Sequence, residues 1–205
     1  MKDFKVVAFD CDGVLFDTEE ANWAYYNHIL KHFGRPAMTP EQFAYAHQHT
    51  LDESITYLFN DEESIAAVYD YRQTMDYSVY LKLLKVEPDL VSLLTKIRPK
   101  LKTAIATNRS DTMSRLLTEF ALTEYFDLVV TSFDIRRPKP YPDALLKILD
   151  HFGIEPHQAL YVGDSQVDAE AARAAKMPFI AFRNKTLPTE YHIGSLKELE
   201  EILEV

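Results

Sequence analysis

The chain has 205 residues, of which 47% are hydrophobic, and this is enough apolar material for one compact core with an insertion. Its formal net charge of −10, without a stripe of interleaved basic and aromatic residues, disfavours nucleic-acid binding. The single cysteine, Cys11, excludes an internal disulfide and a zinc site of several thiolates, so any metal is expected to have oxygen or imidazole ligands.

We expect a cytoplasmic protein with no membrane or nucleic-acid partner. No apolar run approaches the ~20 residues that span a bilayer. The chain also begins with a strand-like segment rather than with the apolar core of a signal peptide. The expected oligomeric state is a monomer or a weak homodimer.

The first predicted element is a strand over residues 5–10, which are nearly all apolar and favour β structure. A helix follows Asp17 and Thr18, which can cap its N-terminus, and Gly34 ends it. The next segment predicts only helices, over 40–47, 52–59 and from 61 or 62 to about 84. Residues 15–86 are therefore predicted to form an α-helical insertion after the first strand.

Strands and helices alternate from Pro88 onward. The further strands are predicted over 101–107, 126–131, 159–162 and 178–182. The helices are predicted over 88–98, from an N-cap at Ser110 to Phe120, over 142–152 with Pro142 in the first position and Gly153 just past the end, over 167–176 and over 195–205. This alternation is typical of a doubly wound parallel sheet. We therefore predict an α/β, Rossmann-like core that consists of residues 1–14 and 87–205.

Polar residues follow four of the predicted strands. The carboxyl ends of parallel strands meet at one crevice, where ligands bind in such sheets. The four segments are Asp10-Cys11-Asp12-Gly13, Thr107-Asn108-Arg109-Ser110, Arg136-Arg137-Pro138-Lys139-Pro140 and Gly163-Asp164-Ser165-Gln166-Val167-Asp168.

This set of side chains favours phosphoryl transfer with a divalent cation. Carboxylates gathered at one point repel each other unless a cation joins them, and oxygen ligands suit Mg²⁺. Mg²⁺ usually shares its coordination shell with water and a substrate phosphate, which a lysine and N–H groups at a helix N-terminus can also hold. Taken alone, an acidic pair such as Asp10 and Asp12 is more often a solvated turn or a cap, so the interpretation depends on all four segments.

The run from Asp10 to Thr18 resembles the DxDGVLxDT signature of the haloacid dehalogenase superfamily of hydrolases. The other segments match that family's motifs in order: Thr107-Asn108 after a strand, Lys139 in an RPKPxP context, and Gly163-Asp164-Ser165 with Asp168. The helical insertion resembles the cap of the phosphoglycolate phosphatase and β-phosphoglucomutase branch. The resemblance covers essentially the whole chain.

The resemblance implies roles for the carboxylates. Asp10 would be the nucleophile that attacks phosphorus, and Asp12 would protonate the leaving oxygen and later activate water. Mg²⁺ would be held by the Asp10 side chain, the Asp12 backbone carbonyl and the Asp164 side chain. Asp168 belongs to the same metal centre and is expected to orient a metal-bound water or the lysine.

The resemblance also implies how the phosphate is held. Thr107 and the Asn108 N–H would bind phosphoryl oxygens, and Lys139 would stabilise charge on the phosphate and the nucleophile. Arg109 is a further candidate for substrate binding, with helix capping as its alternative role.

The segment from Tyr45 to Thr50 lies between two predicted helices of the insertion, where relatives often carry a loop that faces the active site. We hypothesise that His47, Gln48 or His49 contacts the part of the substrate that is not phosphate. The alternative is a pair of exposed histidines without such a role.

Four other functions compete with that of a phosphatase. A dehalogenase or a phosphonatase is disfavoured, since both lack an acid at the position of Asp12, although Lys31 is available for the Schiff base of a phosphonatase. A sugar phosphomutase is the enzymatic alternative, because it uses the same aspartyl-phosphate. A non-catalytic binding module is expected to lose at least one motif, and none is lost here. The sequence thus favours a Mg²⁺-dependent phosphatase acting on a small phosphorylated metabolite.

Overall fold

The computed structural model describes residues 3–204, which divide into two compact units. The first unit consists of Met1–Phe16 and Val86–Val205, and the second of Asp17–Lys85. Among the residues described, no helix combines the length and apolar character that a bilayer crossing requires.

Residues 3–204 contain eight strands. In chain order they are β1 (Val6–Phe9), β2 (Phe16–Asp17), β3 (Lys85–Val86), β4 (Lys102–Ala106), β5 (Leu128–Val130), β6 (Ala159–Gly163), β7 (Phe179–Phe182) and β8 (Tyr191–Ile193). The short strands β2 and β3 pair with each other. The other six form one sheet.

The α-helices, in chain order, are α1 (Glu19–His32), α2 (Pro40–Gln48), α3 (Leu51–Phe59), α4 (Glu62–Thr74), α5 (Ser78–Leu81), α6 (Leu90–Ile97), α7 (Met113–Glu119), α8 (Asp143–Phe152), α9 (Gln166–Ala175) and α10 (Glu198–Leu203). Single 3₁₀ turns cover Thr123–Tyr125, Ser132–Asp134 and Pro156–Gln158.

The six-stranded sheet of the first unit has the order β5-β4-β1-β6-β7-β8, and each strand is parallel to its neighbours. The chain starts in the middle at β1, moves outward through β4 and β5, and then returns to build the other side from β6. This topology confirms the predicted doubly wound α/β fold. It also places the carboxyl ends of β1, β4 and β6 side by side, where the order of the strands reverses.

Strand β8 was not predicted from the sequence. It has only three residues, and Tyr191 and His192 are exposed because the strand lies at the edge of the sheet. A short edge strand has no continuous apolar run, so the pattern that identified β1 is missing there.

The core of the first unit explains the apolar strands. All four residues of β1 are buried, and every second one, Val6 and Ala8, belongs to a cluster with α8 and α9. Helix α8 supplies Leu145 and Ile148 to this cluster, and Gly153 ends the helix in the left-handed conformation, as predicted.

Several predicted helix starts in this unit differ from the structure by one to three residues, among them those of α7 and α8. The helix after β4 begins at Met113, and Ser110 is not its N-cap. The Ser110 carbonyl accepts a hydrogen bond from the Met113 N–H, so Ser110 begins a turn that precedes the helix. Pro142 is the N-cap of α8 rather than its first residue, so the helix begins one position later than predicted, at Asp143.

In the second unit, capping residues set the ends of the helices. Thr39 and Thr50 form capping boxes at the starts of α2 and α3. Asp17 accepts from the Glu19 N–H at 3.3 Å, whereas Thr18 occupies the N-cap of α1 and its side chain accepts no backbone N–H of the helix. Gly34, with φ of +66°, follows the end of α1.

The predicted long helix from about residue 61 to 84 was wrong. Helix α4 ends at Thr74 and α5 begins at Ser78, because Met75 is extended and Asp76 accepts from the Ser78 N–H at 2.9 Å. An Asx turn thus competes with the helix at this point.

Candidate active site

Asp10 is the first residue after β1, and backbone bonds hold it in the sheet. Its N–H donates to the Val162 carbonyl at 2.9 Å, and its Oδ1 accepts from the Cys11 N–H at 2.7 Å. Burial raises the pKa of Asp10 to about 7, with Lys139 opposing the rise and Asp168 adding to it. A carboxylate is therefore presented at the carboxyl end of the central strand, where its charge needs a partner.

Lys139 provides positive charge next to the Asp10 carboxylate. Its side chain is only 2% exposed, and its Nζ lies 2.8 Å from Asp10 Oδ1, 2.6 Å from Asp168 Oδ1 and 3.0 Å from the Tyr161 hydroxyl. The three N–H groups of the ammonium thus have three acceptors. Burial lowers the pKa of Lys139, but the two carboxylates outweigh it and the net pKa is raised, so the lysine stays charged.

Asn108 fixes the backbone from which Lys139 projects. Its Nδ2 donates to the Lys139 carbonyl at 3.0 Å, and its Oδ1 accepts from the Lys139 N–H at 2.9 Å. The residue after β4 is thereby joined to the segment after β5 by two bonds. This amide explains how a lysine in a long connection reaches a site at the centre of the sheet.

Asp168 lies in the first turn of α9 and is fully buried. Its Oδ1 accepts from Lys139 and from the Tyr161 hydroxyl at 2.7 Å, and its Oδ2 accepts from Ser165 Oγ at 2.5 Å and from the Ser165 N–H at 3.1 Å. Burial would raise the pKa of Asp168, but Lys139 and these hydrogen bonds hold it below its ordinary value. The carboxylate is therefore ionised and fully engaged by protein donors.

Asp164 follows β6, and two glycines make room for the carboxylates of this segment, Gly13 for Asp164 and Gly163 for Asp168. A Cβ on Gly13 would lie 2.2 Å from Asp164 Oδ2, and a Cβ on Gly163 would lie 2.5 Å from the Cβ of Asp168. Gly13 also has φ of +80°, which side chains rarely adopt. The Asp164 carbonyl accepts from the Asn184 side-chain amide at 2.8 Å. Glycine at these positions is thus required by space.

The carboxylates form a plausible ligand set for a hard cation. Asp10, Asp164 and Asp168 each offer an oxygen, and these oxygens lie within 4.8 Å of one another. Burial, followed by repulsion from Asp168 and Asp10, raises the pKa of Asp164 well above its ordinary value. Three carboxylates face one ammonium here, so a divalent cation fits the unbalanced charge. Because both Asp168 oxygens already accept from protein donors, Asp10 and Asp164 are better placed to ligate directly.

Asp12 is paired with Arg109. Arg109 Nη2 donates to Asp12 Oδ1 at 2.5 Å, and Nε donates to Oδ2 at 3.1 Å, which is a bidentate ion pair. Thr107 is buried at the end of β4, and its Oγ1 accepts from the Arg109 N–H at 3.1 Å. The structure therefore brings the predicted residues of the first, second, third and fourth segments together in the first unit.

The predicted histidines lie in the second unit, at the C-terminal end of α2. His47 Nδ1 is 3.1 Å from the Asn22 side-chain amide, and its ring stacks on Phe43. His49 Nδ1 is 2.8 Å from the Tyr45 carbonyl, and its ring stacks on Tyr45 at 3.8 Å. Both rings thus have partners within their own unit.

Three residues that donate hydrogen bonds to Asp164 or Asp168 were given no role from the sequence. Tyr161 is fully buried within β6, and its hydroxyl contacts Lys139, Asp168 and the Ala106 carbonyl. A tyrosine in a buried apolar strand was a usable signal, since its hydroxyl needs a partner. Ser165 was visible as a cap before α9. Asn184 lies 20 residues after Asp164 and carried no local signal.

Comparisons with known proteins identify the family to which this chain is similar. A family model described as haloacid dehalogenase-like hydrolase matches residues 7–182. Pyrophosphatase PpaX of Bacillus velezensis is 31% identical over 191 residues, which cover 85% of this chain and 82% of the relative. Phosphoglycolate phosphatase 1 of Pseudomonas aeruginosa is 32% identical over 182 residues, which cover 83% of this chain and 66% of the relative.

Solved structures show the same fold. A HAD-superfamily hydrolase of subfamily IA from Geobacter sulfurreducens is 35% identical, with a TM-score of 0.80 and coverage of 98% of this chain and 97% of that chain. A β-phosphoglucomutase from Clostridium difficile has a TM-score of 0.84 and covers 98% of this chain and 96% of that chain, at 18% identity. At that identity the likeness concerns the fold alone.

Proposed function

This chain belongs to the haloacid dehalogenase-like hydrolase family, and we propose that it is a phosphatase that hydrolyses a small phosphate monoester through a phosphorylated Asp10. The relatives named as pyrophosphatase and phosphoglycolate phosphatase support this class of reaction. The observation that carries the proposal is the position of Asp10, a buried carboxylate at the end of the central strand with the Lys139 ammonium 2.8 Å away.

In the proposed reaction Asp10 attacks phosphorus and Asp12 gives a proton to the leaving oxygen. In the second half, Asp12 takes a proton from the water that attacks the phosphorylated Asp10. Lys139 neutralises charge on Asp10 and on the phosphoryl group, which lowers the repulsion between two anions. Asp168 and Tyr161 hold the ammonium in place for that purpose.

Thr107 and the Asn108 N–H are proposed to bind phosphoryl oxygens. Thr107 lies at the end of β4, beside β1 in the sheet, and the side chain of Asn108 is occupied by the Lys139 backbone. The Asn108 side chain therefore positions Lys139, while its backbone N–H is the group assigned to the substrate.

Mg²⁺ is the proposed metal, and the Asp10 side chain, the Asp12 carbonyl and the Asp164 side chain would hold it. When bound, it would supply positive charge that stabilises the phosphoryl group during transfer. Asp168 supports this centre through Lys139 and Ser165 rather than as a direct ligand.

The proposed substrate is a small phosphorylated metabolite such as phosphoglycolate, handled in the cytoplasm by a monomer or a weak homodimer. His47 and His49 stay our candidates for contacts to the part of the substrate that is not phosphate. Their alanine variants should change the ranking of substrates; an unchanged ranking would remove them from the site.

The test is release of inorganic phosphate from a panel of phosphoglycolate, pyrophosphate, sugar phosphates and nucleoside monophosphates, with Mg²⁺ and with EDTA. We expect hydrolysis that requires the metal and is concentrated on few compounds. Asp10→Asn should abolish turnover while the protein stays folded by circular dichroism, because it removes the nucleophile's charge with little change of shape. Turnover by this variant, or no phosphate release by the wild type, would overturn the proposal.

A further inference from the structure

Arg109 is held rigidly against Asp12. Its two bonds to the Asp12 carboxylate measure 2.5 and 3.1 Å, and its Nη1 donates to Thr112 Oγ1 at 3.0 Å. Its backbone N–H donates to Thr107, and its carbonyl accepts from the Ser132 N–H at 3.2 Å. The Arg109 side chain is 7% exposed and that of Asp12 is 16% exposed. Such a shielded, bidentate pair is stronger than an ordinary surface ion pair.

This pair conflicts with the work proposed for Asp12. Both carboxylate oxygens accept from the guanidinium, whereas delivery of a proton to the leaving oxygen needs one of them to face that oxygen. Opening the pair would free an oxygen of Asp12 for that contact. Opening leaves a largely buried guanidinium without its anion, which is costly unless another anion replaces Asp12.

We propose that Arg109 exchanges Asp12 for a second anionic group on the leaving part of the substrate, and that this exchange releases Asp12 for proton transfer. Because Arg109 grips the residue that serves the leaving oxygen, the second anion has to lie within a few bonds of that oxygen. The preferred substrates are then phosphate compounds whose leaving group carries a nearby carboxylate or a second phosphate. The inference rests on the proposed phosphatase function.

The step that depends on this exchange is the first phosphoryl transfer. The bond from phosphorus to the leaving oxygen breaks, a bond from phosphorus to an Asp10 carboxylate oxygen forms, and the leaving oxygen takes the proton from Asp12. Hydrolysis of the phosphorylated Asp10 by water, with a proton returned to Asp12, restores the enzyme. Arg109 forms no covalent bond and acts by charge and position, so it is a specificity-determining residue.

The experiment compares phosphoglycolate with ethyl phosphate, which has the same two-carbon leaving group with a methyl in place of the carboxylate. Phosphate release is measured with Mg²⁺ for the wild type, Arg109→Gln and Arg109→Lys. We expect the wild type to prefer phosphoglycolate by about tenfold or more in kcat/KM, the factor that corresponds to one good charged hydrogen bond.

The signature of the exchange is a pair of opposite changes. Arg109→Gln should lower kcat/KM for phosphoglycolate by about tenfold or more and raise kcat/KM for ethyl phosphate, because the pair no longer has to be broken. Arg109→Lys keeps the positive charge but loses the pair of parallel N–H donors of the guanidinium, and it should retain part of the preference for phosphoglycolate. Arg173→Gln, which removes the same charge from an exposed position on α9, is the matched control and should behave as the wild type.

The outcomes separate the two levels of the proposal. Equal losses on both substrates in Arg109→Gln, or no preference in the wild type, would overturn the exchange while leaving the phosphatase intact. If Arg109→Gln does not fold, as judged by circular dichroism, the wild-type preference and the partial preference of Arg109→Lys decide the question. Absence of phosphate release from every compound by the wild type would instead overturn the proposed function itself.

Discussion

Gly13→Ala tests whether the close approach of the first loop sets the position of Asp164. The added Cβ would lie 2.2 Å from Asp164 Oδ2 and 2.6 Å from its Cγ. The carboxylate would therefore have to move by about 1 Å or more to reach an ordinary contact distance. Alanine at φ of +80° also costs about 1 kcal/mol, whatever the space around it.

The matched control is Gly153→Ala. Gly153 has φ of +61° and nothing within 4 Å of an added Cβ, so it carries the backbone cost without the collision. Gly153→Ala should lose about 1 kcal/mol of unfolding free energy, or ~2–4 °C in Tm for a chain of this size, and Gly13→Ala should lose more because the collision adds to the backbone cost. Only Gly13→Ala should also weaken the affinity for Mg²⁺, by about tenfold or more, because one carboxylate leaves its place.

The two effects are measured separately. Thermal unfolding in EDTA gives the backbone cost, and calorimetric titration with Mg²⁺ gives the affinity without reference to turnover. Equal Mg²⁺ affinities for Gly13→Ala and Gly153→Ala would refute the claim that glycine is required there to admit Asp164.

Three further predictions concern the support of the same carboxylates. Asn184→Ala should lower Mg²⁺ affinity by titration with little change in Tm, because it removes the amide that holds the Asp164 carbonyl; unchanged affinity would contradict this. Asp168→Asn should lower Tm by several degrees, since a buried partner of Lys139 loses its charge, whereas Asp143→Asn in the exposed pair with Arg137 should not. Burial raises the pKa of Asp10 to about 7, so between pH 4 and 7 the metal-free folded state binds more protons than the unfolded state, and the contribution of Asp10 to stability falls as pH rises. The gain in Tm on adding Mg²⁺ should therefore grow from pH 5 to pH 7.5, and a gain independent of pH would contradict it.

Local patterns predicted most of the fold correctly. The apolar run of β1 marks a strand that is covered on both faces, and its four residues are all buried. Gly34 and Gly153 mark helix ends through their left-handed conformation. Where the local pattern was weak or two local preferences competed, prediction failed: β8 is too short and exposed, and Asp76 interrupts what had the pattern of one long helix.

Polar residues that close apolar strands also located the candidate site. Asp10 and Asp164 follow β1 and β6, and these strands are neighbours in the sheet. The strand order follows from the rules for doubly wound sheets, so it was predictable that their carboxyl ends meet. The types of residue, carboxylate and lysine, then determine the class of chemistry.

Which side chains pair inside that site was decided by the tertiary structure alone. Arg109 and Asp12 are 97 positions apart, and Asn184 and Asp164 are 20 apart, so no helix or turn geometry relates them. Their contacts depend on strand register and on loops that glycine allows to approach within van der Waals distance. The sequence by itself determined the fold class and the strand ends that carry the carboxylates and the lysine, because these follow from short-range patterns. The partner of each charge emerged only when parallel strands brought remote segments together.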